Sequence, residues 1–189
     1  MVNNEKRNEK FKSIPFYSLN DKLDAQTVRS QIRFMKKAGM GGFFLHARGG
    51  LETEYMSEEW FAAIDAALDE AIKLEMDVWF YDENGWPSGF GDGQLLKDGY
   101  YVKYLVGEEK DAFAPDAYAC FYGEEGEEVY CTRDMGAGRY FAVYVRENRS
   151  YVDLFDPKIA RDFIACTHEK YYERYKKYFG NVVKGFFYG

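Results

Sequence analysis

The sequence lacks the features that would connect it to a membrane or to nucleic acid. Its apolar runs fall well short of the roughly 18 residues that span a bilayer. Its first ten residues are charged and lack the apolar core of a signal peptide. Acidic residues outnumber basic ones by 32 to 25, the net charge is −7, and no basic patch with interleaved aromatic residues stands out. These absences predict no membrane and no nucleic-acid partner.

Cysteine and histidine are also scarce. Cys120, Cys131 and Cys166 are odd in number and widely spaced, and they form no Cys-x-x-Cys motif. We expect buried or incidental thiols in a reducing compartment, and therefore a cytoplasmic protein without a zinc site. A metal-dependent hydrolase of another barrel family needs a cluster of ligands, and two histidines make that alternative weak.

Apolar and aromatic side chains are abundant, at 47% and 19% of the 189 residues. This composition predicts a folded domain with a real core. Apolar segments at 14–19, 42–45 and 78–81 predict strands, and the helices between them begin after the capping residues Asp24 and Ser57. This β-α-β-α-β order predicts parallel strands with right-handed crossovers.

The pattern changes in the second half of the chain. Short Tyr, Val and Phe runs alternate with turn clusters over about 99–151, which predicts an antiparallel β insertion between the third strand and the third helix. That helix is predicted to run from Asp156-Pro157 to Gly180, and 182–187 predicts a fourth parallel strand.

These elements predict an α/β fold, namely a partial (β/α)8 TIM barrel of about four β-α units. The barrel part is expected over 14–189, after a charged N-terminal tail at 1–13. A half barrel of this kind leaves two strand edges exposed.

The most informative stretch is 77–89, where a short apolar strand is followed at once by Asp82, Glu83 and, in a Gly/Pro turn, Trp86. The carboxyl ends of strands carry the chemistry of α/β proteins, and carboxylates beside an indole suit a sugar substrate. Adjacent strand residues point to opposite faces, so we expect at most one acid to point into the barrel mouth. The simpler alternative is that Asp82 accepts hydrogen bonds from the turn and Glu83 is solvated.

A second set of polar residues follows the second strand. His46 and Arg48 lie two residues apart, and an imidazole and a guanidinium can bind hydroxyl groups or steady a developing charge. The simpler alternative is an imidazole bonded to backbone and an Arg48 ion pair with Glu52 or Asp82. Glu52 could itself reach the cleft, and Asn20 is a weaker candidate at the end of the first strand.

Two other features are interpreted as structural. His168 lies inside the predicted third helix, where a histidine usually serves packing. The glycines of Gly39–Gly42 precede a strand rather than a helix, and no phosphate-binding loop motif is present, so nucleotide binding is not predicted.

These motifs resemble the start of the catalytic barrel of large bacterial glycoside hydrolases, in particular the α-L-rhamnosidase-like group of glycoside hydrolase family 106. The segments that carry the resemblance are Pro15–Asn20, Gly42–Tyr55, Ser57–Trp60, Tyr81–Gly89 and Val152–Glu173. The resemblance implies a (β/α)8 hydrolase acting on a terminal sugar, with calcium as a candidate cofactor. The family usually continues its fourth strand into a Thr-Asp-Glu-Pro-like sequence, whereas Tyr188-Gly189 stands there in this chain.

We therefore expect a glycoside hydrolase, present as an N-terminal fragment, in which Glu83 and Asp82 perform acid/base catalysis. The residues expected to bind substrate are His46, Arg48, Trp86, Asn20 and Glu52. The alternative is a non-catalytic remnant or a carbohydrate-binding module. The sugar, the linkage, the stereochemical course and the oligomeric state are left open.

Overall fold

The computed structural model describes residues 11–89 and 91–189. It divides into two units, the first formed by the described residues up to Leu95 together with Pro157–Gly189, and the second by Leu96–Asp156. The first unit contains a parallel sheet and the second an antiparallel sheet, which confirms the predicted mixed α/β class. Residues 1–10 of the predicted tail lie outside the described residues.

Helices and strands follow one another along the whole described chain. In order they are β1 (Phe16–Leu19), α1 (Ala25–Lys37), β2 (Gly42–Ala47), α2 (Glu58–Leu74), β3 (Asp77–Asn84), α3 (Gln94–Lys97), β4 (Tyr101–Lys110), β5 (Ala119–Tyr122), β6 (Val129–Cys131), β7 (Tyr140–Val152), α4 (Pro157–Cys166), α5 (His168–Tyr175), a 3₁₀ turn (Lys176–Tyr178) and β8 (Val183–Phe187). None of the helices described is long and apolar enough to cross a bilayer.

The parallel sheet of the first unit has the strand order β1-β2-β3-β8. Ser18 is the register partner of His46, and Leu45 is the partner of Phe80, so all four strands deliver their carboxyl ends to one edge. We call this edge the rim. The order is the one that successive right-handed β-α-β crossovers produce.

Both predicted helix caps are present. The Asp24 carboxylate accepts a hydrogen bond from the Thr27 backbone N–H at 2.7 Å, and Ser57 Oγ accepts one from the Trp60 N–H at 3.1 Å. Each cap satisfies a backbone donor that the first helical turn leaves without a partner. The two helices start where the sequence predicted for this physical reason.

The two faces of the parallel sheet are covered differently. One face, the helix face, is buried against the helices and includes Leu45, Val78, Phe80 and Val183. The alternate side chains form what we call the open face, which comprises Phe16, Ser18, Phe44, His46, Trp79, Tyr81 and Phe187. Its aromatic rings contact each other, yet Phe16 remains 48% and Phe187 38% exposed.

The prediction of a single continuous third helix is wrong. The structure breaks it at Thr167, which has φ −124° and ψ −74° and separates α4 from α5. The Thr167 hydroxyl donates to the Phe163 carbonyl at 3.0 Å, a local side-chain bond that competes with regular helix. Strand β3 is also longer than predicted, because it continues through Asp82 and Glu83 to Asn84.

The second unit is an antiparallel sheet of order β4-β7-β5-β6, within the region where the β insertion was expected. Strands β4 and β7 pair over nearly their full length. Its buried side chains form two small clusters, one around Ala142 and Tyr144 and the other around Cys120, Cys131 and Tyr140. The unit therefore has much less apolar core than the first one.

Candidate functional site

A pocket of about 450 Å³ opens on the rim side of the open face. Strand ends β1, β2, β3 and β8 and the loop after β3 all contribute to its wall. The lining residues are Phe16, Ser18, His46, Arg48, Tyr81, Trp86 and Phe187. It thus brings together three of the predicted substrate-binding residues, His46, Arg48 and Trp86.

His46 is held in place from two sides. Its ring stacks on Tyr81 with centroids 3.8 Å apart, and Nε2 lies 3.1 Å from the Gly85 carbonyl oxygen. A carbonyl only accepts, so Nε2 carries the proton and Nδ1 of the neutral ring is an acceptor. Burial lowers the pKa of His46, which favours this neutral form.

Gly85 fastens the end of β3 to the end of β2. Its N–H donates to the Ala47 carbonyl at 3.0 Å, while its own carbonyl accepts from His46. Its φ of 103° is a conformation that glycine adopts at little cost and other residues rarely adopt. The loop that carries Trp86 therefore starts from a fixed position.

Trp86 and Arg48 are exposed residues of the lining that lie beyond the ends of the strands. The Trp86 side chain is 68% exposed although large apolar groups usually avoid water. Arg48 is exposed too, and in the part of the chain that the structure describes it forms no ion pair with Glu52 or Asp82. The guanidinium is thus available to a ligand, with several donors on one plane.

Asp82 lies under the rim and is fully buried. Its Oδ1 accepts a hydrogen bond from the Ser88 hydroxyl at 2.6 Å. Its Oδ2 is 3.4 Å from His168 Nε2, an ion-pair distance when the imidazole is protonated, although no hydrogen bond to Oδ2 forms among the described residues. His168, expected to be only structural, therefore lies against a candidate catalytic acid.

Glu83 is also fully buried, and its carboxylate is enclosed by the following loop. Oε1 accepts from the backbone N–H groups of Asn84 at 2.9 Å and Asp92 at 2.6 Å, and Oε2 accepts from that of Gly91 at 2.7 Å. Burial raises the pKa of Glu83, and these hydrogen bonds oppose the rise. The carboxylate holds the loop rather than facing solvent, so the alternative of a solvated Glu83 is wrong.

The two acids expected to be catalytic do not line the pocket. Strand β3 continues through both to Asn84, and its register with β2 is irregular between Phe80 and Asn84, so the strand does not end at the carboxylates. Asp82 bonds to Ser88 through Oδ1, and Glu83 bonds to Gly91 and Asp92 through both oxygens, so each contacts the loop that presents Trp86. In the described residues, this pair is placed to support the pocket from beneath.

The two remaining substrate-binding candidates lie elsewhere. Asn20 is exposed and lines a separate cavity of about 150 Å³ beside α1. Glu52 is exposed in the loop after β2, where its N–H donates to the Asp21 carbonyl at 3.3 Å. Neither contributes to the wall of the rim pocket.

Four lining residues, Phe16, Ser18, Tyr81 and Phe187, were not predicted. A signal for them was present, because alternate residues of a strand share a face and His46 fixes which face matters. Counting back by two from the rim gives Ser18 and Phe16 on β1, and the register places Ser18 beside His46.

The candidate cofactor calcium can be tested against the donor atoms present. Calcium takes six to eight oxygen ligands, mainly carboxylates and carbonyls. Asp82 Oδ1 and both Glu83 oxygens instead receive O–H and N–H donors from the protein, so only Asp82 Oδ2 lacks a hydrogen bond among the described residues. Those residues also gather no cluster of three His, Cys, Asp or Glu side chains that could hold a metal ion. These two acids do not fit a calcium site.

The pocket combines an aromatic wall with a few directed polar groups. Trp86 and Phe187 offer flat apolar surfaces, while Arg48, Ser18 and His46 offer donors and acceptors. A ring with one apolar face and several hydroxyl groups matches both kinds of surface. The lining formed by the described residues contains no carboxylate.

This chain has few detectable similarities to known proteins. No family model matches the chain. No curated protein matches it either. Among matching solved structures is a rhamnosidase from Novosphingobium sp. PP1Y, which has a TM-score of 0.39 and 22% identity to this chain. The match covers 58% of this chain and 11% of that one, so the chain spans about a tenth of that protein's length. A similarity this low leaves the functional conclusion to the residues themselves.

Proposed function

We propose that this chain binds a terminal sugar in the rim pocket and that it acts in glycoside hydrolysis. The observation that supports the proposal is the pocket itself, which is lined by an exposed indole, a guanidinium unpaired among the described residues and an imidazole held by Tyr81 and Gly85. The motif resemblance to the α-L-rhamnosidase-like group of family 106 makes a rhamnose-type sugar the first candidate.

The open face supports a barrel as the context of this pocket. All-parallel sheets occur almost only with both faces covered, yet the open face leaves Phe16 and Phe187 substantially exposed. In a (β/α)8 barrel such a face is the inward one, packed against the inward face of other strands. We propose that the four parallel strands are half of such a barrel.

In the proposed site each residue has a distinct role. Trp86 stacks on the apolar face of the sugar, and Arg48 and His46 bind its hydroxyl groups. Asp82 and Glu83 act as positioning residues, because they hold Ser88, Gly91 and Asp92 of the Trp86 loop. Hydrolysis needs two carboxyl groups about 5–5.5 Å or about 6.5–9.5 Å apart at the scissile bond.

A second candidate, a sugar-binding domain without turnover, is favoured by one observation. The described lining contains no carboxylate, and acid/base cleavage requires one within hydrogen-bond reach of the substrate. The same pocket would then bind the sugar through the same residues without cleaving it.

The test measures binding and cleavage on the same preparation. Calorimetry with L-rhamnose is paired with an assay of aryl α-L-rhamnoside hydrolysis. We expect Trp86→Ala to weaken binding roughly tenfold or more, and Phe34→Ala, which removes an exposed aromatic from α1, to leave binding unchanged. Binding with turnover supports the hydrolase, and binding alone supports the second candidate. Absence of both, or equal losses in the two variants, contradicts the proposal.

A further inference from the structure

Two cysteines that are distant in the sequence are register partners in the second unit. Cys120 on β5 lies directly opposite Cys131 on β6 in an antiparallel pair. Both side chains are buried, at 3% and 8% exposure, and Cys131 Sγ lies 3.5 Å from the Cys120 carbonyl oxygen. Both are free thiols in this structure.

This placement satisfies the distance requirement of a disulfide. Directly opposite residues of an antiparallel pair have Cα atoms about 4.5–5.5 Å apart. Disulfides bridge Cα atoms about 4.4–6.8 Å apart. The strand pairing therefore places the two Cα atoms within the range that a disulfide bridges.

We propose that Cys120 and Cys131 form a disulfide site, oxidised by a low-molecular-weight disulfide such as oxidised glutathione. A thiolate of the pair attacks the glutathione disulfide and releases one glutathione thiolate, which leaves a mixed disulfide. The other cysteine, as a thiolate, attacks the protein sulfur of that mixed disulfide and releases the second glutathione. Two S–H bonds are lost, one S–S bond forms, and two electrons and two protons pass to glutathione.

The disulfide would crosslink two strands of a unit that has only a small apolar core. The pair packs with Tyr140, Phe113 and Tyr122 in a small cluster, and the unit has only one other small core cluster among the described residues. A crosslink between β5 and β6 restricts the unfolded chain and so stabilises a unit with little core. Burial, and then the hydrogen bond with Cys120, raise the pKa of Cys131, so reaction is fastest at alkaline pH or while the strands are open.

Cys166 provides an internal comparison. It lies at the end of α4 in the first unit, its thiol donates to the Phe163 carbonyl at 3.3 Å, and burial raises its pKa to about 11. It has no cysteine as a strand partner. We therefore expect Cys166 to remain a thiol when the other two are oxidised.

The test uses the folded chain in glutathione buffers of increasing oxidised fraction, followed by trapping with maleimide and mass spectrometry. Both cysteines fall in one tryptic segment, 111–133, and cleavage at the glutamates 124, 125, 127 and 128 separates them. We expect that segment to lose two hydrogen atoms in mass and its two halves to stay linked until reduced. The melting temperature of the oxidised chain should rise by roughly 5–10 °C.

Matched variants distinguish the outcomes. Cys166→Ser should leave the linkage intact, and Cys131→Ser should abolish it and leave Cys120 free or joined to glutathione. Linkage of either cysteine to Cys166 would overturn the proposal, as would three free thiols in the most oxidising buffer. Stable glutathione adducts on the wild-type pair would overturn it too.

Discussion

The two faces of the parallel sheet carry similar aromatic side chains that differ in how far they are buried. On the helix face, Phe80 is fully buried and stacks on Tyr171 with ring centroids 4.6 Å apart. On the open face, the equally large Phe16 stacks on Phe44 at 4.9 Å but keeps about half of its surface in water. The buried ring stabilises the unit, whereas the exposed ring leaves an aromatic surface that a ligand or further strands can contact.

The carboxylates at the end of β3 follow the same division. Asp82 and Glu83 are buried and bond to the loop, Asp82 through one oxygen and Glu83 through both. The pocket on the open face is lined instead by residues that include Tyr81, His46 and Arg48. Residues next to each other in the sequence thus belong to opposite sides of the site. Carboxylates at the end of a strand can therefore bond to the protein's own loop while their neighbours line the pocket.

The largest difference between the two faces should appear in the free energy of unfolding when one aromatic ring is removed from each face. Phe80→Ala removes a ring with no exposure, and we expect the free energy of unfolding to fall by about 3–5 kcal/mol. Phe16→Ala should cost less than about 1 kcal/mol, because its ring is already half in water. Urea unfolding followed by tryptophan fluorescence reports this unit, which contains Trp60, Trp79 and Trp86. Equal losses of unfolding free energy in the two variants would show that the two faces contribute equally to stability.

A smaller effect should follow from the carboxylate that holds the loop. Glu83→Gln places an amide NH₂ group, which cannot accept, opposite the backbone N–H groups of the loop, and we expect a loss of about 1–3 kcal/mol. Glu52→Gln changes an exposed loop carboxylate in the same way and should stay within about 0.5 kcal/mol of wild type. Similar stability of the two variants in urea would show that Glu83 does not brace the loop.

The course of the chain in the first unit could be predicted because its signals are local. The caps Asp24 and Ser57, the apolar stripes of α1 and α2, and the apolar segments of β2 and β3 each specify their own structure. The break at Thr167 could not be predicted, because the competing bond to the Phe163 carbonyl forms only where that helix bends.

The site could be predicted only in part. His46, Arg48 and Trp86 could be predicted because they follow the ends of strands, and the structure brings these three together in one pocket. The positions of Asp82 and Glu83 depended on how far β3 continues, and the contact with His168 depended on packing of α5 against that strand. The Cys120–Cys131 pairing depended on the register of two short strands, which spacing in the sequence does not determine.

Whether the open face binds a sugar can be measured through the fluorescence of Trp86. Trp60 is fully buried and Trp79 is half-buried, whereas Trp86 is 68% exposed, so Trp86 should account for most of the quenching by acrylamide. We expect millimolar L-rhamnose to reduce this quenching in the wild-type chain, and Trp86→Phe to remove the sugar-dependent change. If the sugar leaves the quenching unchanged, or reduces it equally in both proteins, the rim pocket does not bind the sugar at Trp86.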